Sequence, residues 1–196
     1  MRCLSEYIVT WLIKHKAILN EDRELYEYAT YSFFLTTFPI IISIIIGSIM
    51  GKILESILFI VTFMSTRKYS GGFHARHAWV CIISSWIILF VCIYIIANIK
   101  YNIIFDIGML CAAIGLIIFS PIDNENRRLD LIEKKEYKSK ITVIVLISVI
   151  IYFALILINK EEYAVCISVG IMLSACLQIP CILQKCNRKI NENRLL

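Results

Sequence analysis

AWVCIISSWIILFVCIYIIA, residues 78–97, is an apolar stretch without a single charged residue. A helix of about 20 residues, at about 1.5 Å per residue, is as long as the hydrocarbon core of a bilayer is thick. The chain as a whole is also apolar: 59% of its 196 residues are hydrophobic and 18% are charged. In soluble domains, about 45–50% of the residues are hydrophobic and about 25% are charged. The composition excludes a soluble globular domain and indicates an integral membrane protein.

Six apolar runs alternate with polar segments along the chain. They are Phe33–Met50, Ile53–Met64, Ala78–Ala97, Ile103–Phe119, Ile141–Ile158 and Ala164–Leu183. A membrane span needs about 17 residues or more, which five of the runs provide. The second run is long enough only if its helix continues through Ser65 and Thr66. We predict an all-α integral membrane fold with about six transmembrane helices.

The basic residues predict the orientation, because cytoplasmic segments of membrane proteins carry the excess of Lys and Arg. With six crossings, every Lys and Arg except Lys52, Lys100 and Lys160 falls on one side. If residues 53–64 did not cross, the basic segments would be divided between the two faces. We therefore predict a multi-pass protein of the cell membrane with both termini in the cytoplasm. The net charge of +5 reflects this topology, and nucleic acid is not expected as a partner.

The chain is predicted to be one polytopic domain over residues 1–196, with an amphipathic N-terminal region (1–32), a transmembrane bundle (33–183) and a cytoplasmic tail (184–196). In the first region Leu4, Tyr7, Ile8, Trp11, Leu12, Ile18 and Leu19 recur at helical spacing. This spacing predicts an amphipathic helix. The helix would lie either among the headgroups of membrane lipid or on the protein's own surface.

STRKYSGGFHARHAWVC, residues 65–81, is polar and glycine-rich and interrupts the apolar pattern. The stretch holds two of the three His and ends on Cys81, at the start of the third span. A thiol beside an imidazole makes a nucleophile and its base, and neighbouring cations favour the thiolate. Arg67, Lys68 and Arg76 supply those cations. Cys81 is therefore the candidate nucleophile. No Cys/His spacing of a zinc site occurs, so neither metal nor cofactor is expected.

Two histidines compete for the role of the base. In a continuous helix His77 would stand one turn before Cys81, with Cβ atoms about 5–6 Å apart. His74, seven residues before Cys81, would lie about 10.5 Å from it along the axis at about 1.5 Å per residue, too far for a direct hydrogen bond. It reaches the thiol only if the backbone folds back, which the unrestricted dihedrals of Gly71 and Gly72 permit. Spacing alone favours His77.

These residues match a known pattern. R-K-x-S-G-G-x-H-A at residues 67–75, with Cys81 seven residues after the His, resembles the signature of the accessory gene regulator B (AgrB) family. Members of that family are membrane cysteine endopeptidases of Gram-positive quorum sensing. S-P-I-D-N-E-N-R-R at residues 120–128, followed by a basic stretch, also resembles the family, as do the chain length and the multi-span layout.

The resemblance implies roles for individual residues. The catalytic pair would be His74 and Cys81, against the spacing argument, and His77 would be a helper or a bystander. Arg67 would give electrostatic support, and Gly72 would be the hinge that returns His74 to the thiol. The active site would lie on the cytoplasmic side.

The resemblance also implies a substrate and a partner. The substrate would be an AgrD-type precursor peptide, whose C-terminal tail is removed through a thioester on Cys81. An internal Cys of the precursor would then displace the enzyme and close a thiolactone, whereas a Ser would give a lactone. A homodimer is expected from the family and from the many small residues.

Further polar residues could assist. Ser85, one turn beyond Cys81, could hold the imidazole or the oxyanion, although hydroxyls in membrane helices commonly bond their own i−4 carbonyl. Four cations of the fourth connection could hold an acidic precursor tail or simply be solvated: Arg127, Arg128, Lys134 and Lys135. The rival classes are a small polytopic peptide exporter and a non-catalytic membrane signalling subunit. Neither accounts for the pattern over residues 70–81.

Overall fold

A computed structural model describes residues 2–15, 17–71, 78–122 and 130–183. All regular secondary structure in these ranges is helical, as the sequence predicts. The helices are α1 (Arg2–Lys14), α2 (Arg23–Ile49), α3 (Ile53–Ser70), α4 (Ala78–Asn98), α5 (Ile103–Phe119), α6 (Leu131–Leu157) and α7 (Glu161–Cys176). A short 3₁₀ turn, Asn20–Asp22, precedes α2.

Each of the six apolar runs forms a helix. The short run at residues 53–64 continues as helix to Ser70, and the resulting 18 residues span about 27 Å at about 1.5 Å per residue. Three helical stretches are long and apolar enough to cross a membrane: Asn20–Ile49, Ile132–Leu157 and Glu161–Leu183. Ile83–Asn98 and Ile103–Phe119 are shorter apolar helices. Several helices of the described chain could therefore cross a membrane.

The N-terminal helix packs against α2. Its buried side carries Ser5 and Val9, and its opposite side exposes 71% of Tyr7 and 52% of Trp11. The helix ends at Lys14, so Ile18 and Leu19 of the predicted periodic pattern lie beyond it. α1 thus covers part of the bundle and leaves two aromatic side chains exposed.

The centre of the bundle is α7, which packs against α3, α4, α5 and α6. One apolar cluster, including Phe59 and Ile93, lies on the side of α2, α3 and α4. A second cluster, including Met109 and Tyr152, lies between α5, α6 and α7. Gly170 allows the close approach of α3, since a Cβ there would stand 3.2 Å from the Phe59 carbonyl oxygen. The fold therefore depends on α7, although it is the last long helix in the chain.

The two ends of the bundle are tied by different polar contacts. At one end the Lys52 ammonium donates to Glu55 at 2.9 Å and to Glu162 at 3.1 Å, which joins the α2–α3 turn to the start of α7. The hydrogen bond to Glu55, and to a smaller extent that to Glu162, raises the pKa of Lys52 above its usual value. At the other end the C-termini of α3 and α5 meet beside Gln178. Successive helices from α2 to α7 therefore run in alternating directions.

Candidate functional site

Cys81 is the fourth residue of α4, so its backbone lies in the first turn of that helix. The N-terminal end of a helix favours negative charge, and a thiolate is favoured there. Gly72, His74 and His77 lie outside the described residues, and so does the side chain of Cys81. The choice between the two histidines therefore stays a prediction.

Gly71 begins the segment that leads from α3 toward Cys81. Its φ of 71° and ψ of −171° belong to a region that only glycine adopts readily. A Cβ on Gly71 would also stand 2.5 Å from the carbonyl oxygen of Ile122. Two independent constraints thus require glycine at this position. The resemblance implies Gly72 as the hinge, and Gly72 lies outside the described residues. The conformation of Gly71, the other glycine of the pair, makes it a candidate for the same role.

The chain after α5 meets the end of α3. The Ile122 N–H donates to the Ser70 carbonyl at 3.1 Å. The side-chain nitrogen Nε2 of Gln178 donates to the same carbonyl at 3.0 Å and to the Ser120 hydroxyl oxygen at 2.7 Å. The two stretches that resemble the AgrB signature, residues 67–75 and 120–128, therefore touch where each is described.

Gln178 is a residue of this region that the sequence did not single out. It follows α7 and is only 1% exposed. The sequence does contain one signal for Gln178: it is the only charged, His or amide residue in the apolar run Ala164–Leu183. Hydrogen-bonding side chains buried among apolar ones have partners, and here both partners lie on other segments.

Arg67 lies in the last turn of α3, half-buried. Its Nη1 donates to the Gly71 carbonyl at 3.1 Å, and the Ser70 hydroxyl donates to the same oxygen at 3.1 Å. The guanidinium of Arg67 therefore fixes the backbone where the segment toward Cys81 begins. The electrostatic role predicted for Arg67 is not tested by these contacts, which give it a structural role.

Lys138 binds the C-terminal end of α5. Its ammonium donates to the carbonyl of Ile117, to that of Ile118 at 3.2 Å and to that of Ser120 at 3.0 Å. The last carbonyls of a helix have no partner inside the helix, and a cation at that end also offsets the helix dipole. Lys138 thereby anchors the chain just before Ile122. The sequence pattern assigned it only to the basic cytoplasmic connection.

The other predicted residues lie on α4 and α6 where they are described. Ser85 is one turn beyond Cys81 and half-buried, Lys134 is half-buried and Lys135 is exposed. The two lysines occupy the turn of α6 that precedes Lys138, so they lie at the same end of the bundle as Gly71. Arg127, Arg128 and the predicted tail, residues 184–196, lie outside the described residues.

A groove of about 550 Å³ runs between α3 and α6. Its lining residues are Leu58, Val61, Thr62, Ser65, Lys68, Tyr69, Ile144, Ile147, Ser148, Ile151 and Ile167. Lys68 and Tyr69 stand at the end next to Gly71, and the remainder of the lining is mainly apolar. Among the residues with described side chains, no group of His, Cys, Asp and Glu could hold a metal ion.

These features define a class of protein: a small all-helical protein with several helices able to cross a membrane and two signature segments joined at one end of the bundle. Residues 5–180 match the family described as Accessory gene regulator B, nearly the whole chain. The chain therefore belongs to the AgrB family, as the resemblance predicted. This membership fits a membrane-associated role in quorum sensing and implies a peptide precursor as substrate. Comparisons with curated proteins and with solved structures give no match.

Proposed function

We propose that this protein is a membrane-embedded cysteine endopeptidase that removes the C-terminal tail of an AgrD-type precursor and promotes closure of the remainder to a thiolactone. The observation that carries the proposal is the junction of Ser70 and Gly71 with Ser120 and Ile122, in a chain of the AgrB family. The junction gives the histidine-bearing segment a fixed starting point. Cys81 follows in the first turn of α4.

The proposed reaction needs only a thiol, an imidazole and the precursor. His74 takes the proton of Cys81, and the sulfur attacks the carbonyl carbon that precedes the tail. The C–N bond breaks, the leaving amine receives the proton, and a thioester joins the precursor to Cys81. An internal thiol of the precursor then gives its proton to His74 and attacks this thioester, and the released sulfur of Cys81 takes that proton. A site inside the membrane surface would exclude the water that would otherwise give a linear peptide.

The proposed topology has six crossings, with both termini and the active site in the cytoplasm. The polar contacts at the two bundle ends support it, since the α2–α3 turn meets the start of α7 while the C-termini of α3 and α5 meet beside Gln178. α3 extends from one end to the other, and its length of about 27 Å is close to the hydrocarbon thickness of about 30 Å. Nearly all the Lys and Arg then lie at the Gly71 end.

The precursor is proposed to meet the protein at this cationic end. Lys134 and Lys135, in the first turns of α6, together with Arg127 and Arg128, would bind an acidic tail. Ser85, one turn after Cys81, would hold the imidazole or the oxyanion. A homodimer embedded in membrane lipid is the proposed assembly.

Co-expression with the precursor tests the proposal. Mass spectrometry of the products compares the wild type with three variants: His74→Ala, His77→Ala and Cys81→Ala. We expect cleavage to be lost in the His74 and Cys81 variants and retained in His77→Ala. Loss in His77→Ala with an active His74→Ala would assign the base to His77. Normal processing by Cys81→Ala would overturn the endopeptidase and favour the exporter or the signalling subunit.

A further inference from the structure

Gln178 places a polar amide inside the bundle, beside the buried Ser70 and Ser120. The side chain is 1% exposed, and burying an amide without hydrogen-bond partners is unfavourable. Its Nε2 meets this cost with two hydrogen bonds, to the Ser70 carbonyl at 3.0 Å and to the Ser120 hydroxyl at 2.7 Å. The Nε2 atom thus connects three parts of the chain: the segment after α7, the end of α3 and the residue after α5.

Both acceptors stand where the chain leaves a helix. Ser70 is the last residue of α3, and Ser120 directly follows α5. The Ser70 carbonyl also accepts the Ile122 N–H, so this oxygen is held from two directions. Gly71, the next residue, has a positive φ and leaves no room for a Cβ beside the Ile122 carbonyl oxygen. The backbone therefore starts toward His74 from a fixed position and in a fixed direction.

We propose that Gln178 is a positioning residue for peptide processing: its amide holds the start of the histidine-bearing segment and thereby sets where His74 stands relative to Cys81. The inference rests on the proposed endopeptidase function and adds a residue from the far end of the chain. Gln178 does not act on the precursor itself. It acts through Ser70 and Ser120.

Three variants test this role in the full-length protein. Gln178→Met keeps an unbranched chain of similar length and removes both donors. Ser120→Ala removes only the 2.7 Å bond. The matched control is Ser168→Ala, because Ser168 is also buried in the α7 region and loses a bond between helices, to the Phe105 carbonyl at 3.1 Å. That bond lies toward the opposite end of the bundle.

Two measurements separate positioning from folding. The first is kcat and KM for cleavage of the precursor, with the folded fraction checked by size-exclusion chromatography. The second is the pH dependence of Cys81 alkylation by iodoacetamide, read by mass spectrometry of the peptide that contains Cys81. Iodoacetamide reacts with the thiolate, so the pH midpoint of alkylation reports whether the imidazole still shares the thiol proton.

We expect kcat of Gln178→Met to fall about tenfold to a hundredfold with KM nearly unchanged, the loss that a misplacement of about 1 Å produces. The alkylation midpoint moves to higher pH. Ser120→Ala shows the same changes to a smaller degree, and Ser168→Ala keeps the wild-type kcat and midpoint. Wild-type kcat and midpoint in a folded Gln178→Met protein would overturn the inference. If that variant does not fold, unchanged values in Ser120→Ala would overturn it.

The same assays separate this inference from the proposed function. His74→Ala and Cys81→Ala are measured alongside. Wild-type processing by Cys81→Ala would end the proposed function and the Gln178 inference with it. If both of these variants are inactive while Gln178→Met and Ser120→Ala behave as the wild type, only the inference fails.

Discussion

At the scale of single residues, contacts of Gly71 with neighbouring residues fix the start of the segment toward Cys81. Gly71 must have its positive φ and must leave room for the Ile122 carbonyl oxygen. Its own carbonyl accepts bonds from Arg67 and Ser70. Functional segments that begin in a rare backbone conformation depend on the surrounding structure to maintain it.

Gly71→Ala therefore lowers the free energy of unfolding by about 1–3 kcal/mol from backbone strain, with a further loss from overlap with Ile122. Precursor cleavage falls as well. Thermal unfolding in detergent and product yield by mass spectrometry measure the two effects.

The matched control is Gly51→Ala. Gly51 also has a positive φ, of 67°, but a Cβ there would meet no atom within 4 Å. This variant loses only the strain contribution and keeps normal cleavage. Equal losses of stability and activity in both variants would contradict the role given to Gly71.

The sequence located this region but not its contacts. The pattern over residues 65–81 marked the polar segment, because glycine, histidine and cations are conspicuous between apolar runs. The isolation of Gln178 in an apolar run marks the residue but not its partners, since Ser70 and Ser120 are 108 and 58 residues away. Contacts at such distances are set by helix packing and leave no local pattern.

At the scale of elements, two helices begin well before the apolar runs that predicted them. α2 begins at Arg23, ten residues before Phe33, and the ion pair of Arg23 with Glu27 at 2.8 Å lies in its first turns. α6 begins at Leu131, ten residues before Ile141, and contains the Glu136–Lys140 pair. Hydrophobic periodicity detects the apolar part of a helix and misses a polar turn that continues it.

Lys138 provides a test of how α5 is anchored to α6. Lys138→Met leaves the carbonyls of Ile117, Ile118 and Ser120 without their cation. Hydrogen bonds to a charged group contribute about 1.5–3 kcal/mol, so we expect a loss of stability of that order. The unfolding temperature in detergent falls accordingly.

Lys140→Met is the control, two residues further along the same helix. Lys140 forms an exposed pair with Glu136 at 3.1 Å, and exposed pairs contribute about 0.2–1 kcal/mol. We expect little change in unfolding temperature. A loss in Lys140→Met as large as that in Lys138→Met would show that the capping of α5 is not what stabilises this junction.

At the scale of the whole molecule, the helices form a bundle whose two ends differ in chemistry. The Lys52 end holds a compact group of one ammonium and two carboxylates, with Glu55 and Glu162. The Gly71 end gathers the C-termini of α3 and α5 and the basic start of α6. Charge counting predicts a membrane orientation, because the distribution of Lys and Arg follows orientation and not the details of packing. The orientation itself stays a prediction.

Labelling with a membrane-impermeant maleimide tests the orientation. Cysteines introduced at Lys100 and Lys160, both exposed at the ends of helices, are expected to react in intact cells. A cysteine at Asp130, also exposed, reacts only after the membrane is permeabilised. Mass spectrometry assigns each label to its peptide. Labelling of the Asp130 site in intact cells would contradict the six-span topology with a cytoplasmic site.

If Cys81 carries the precursor as a thioester, that thioester can be trapped. The purified protein is mixed with a precursor whose internal Cys is replaced by Ala, so that no thiol can displace the enzyme. We predict that intact mass spectrometry shows the protein plus the precursor without its tail, attached at Cys81, and no adduct in Cys81→Ala. Cleavage without this adduct, or the same adduct in Cys81→Ala, would rule out a thioester intermediate on Cys81.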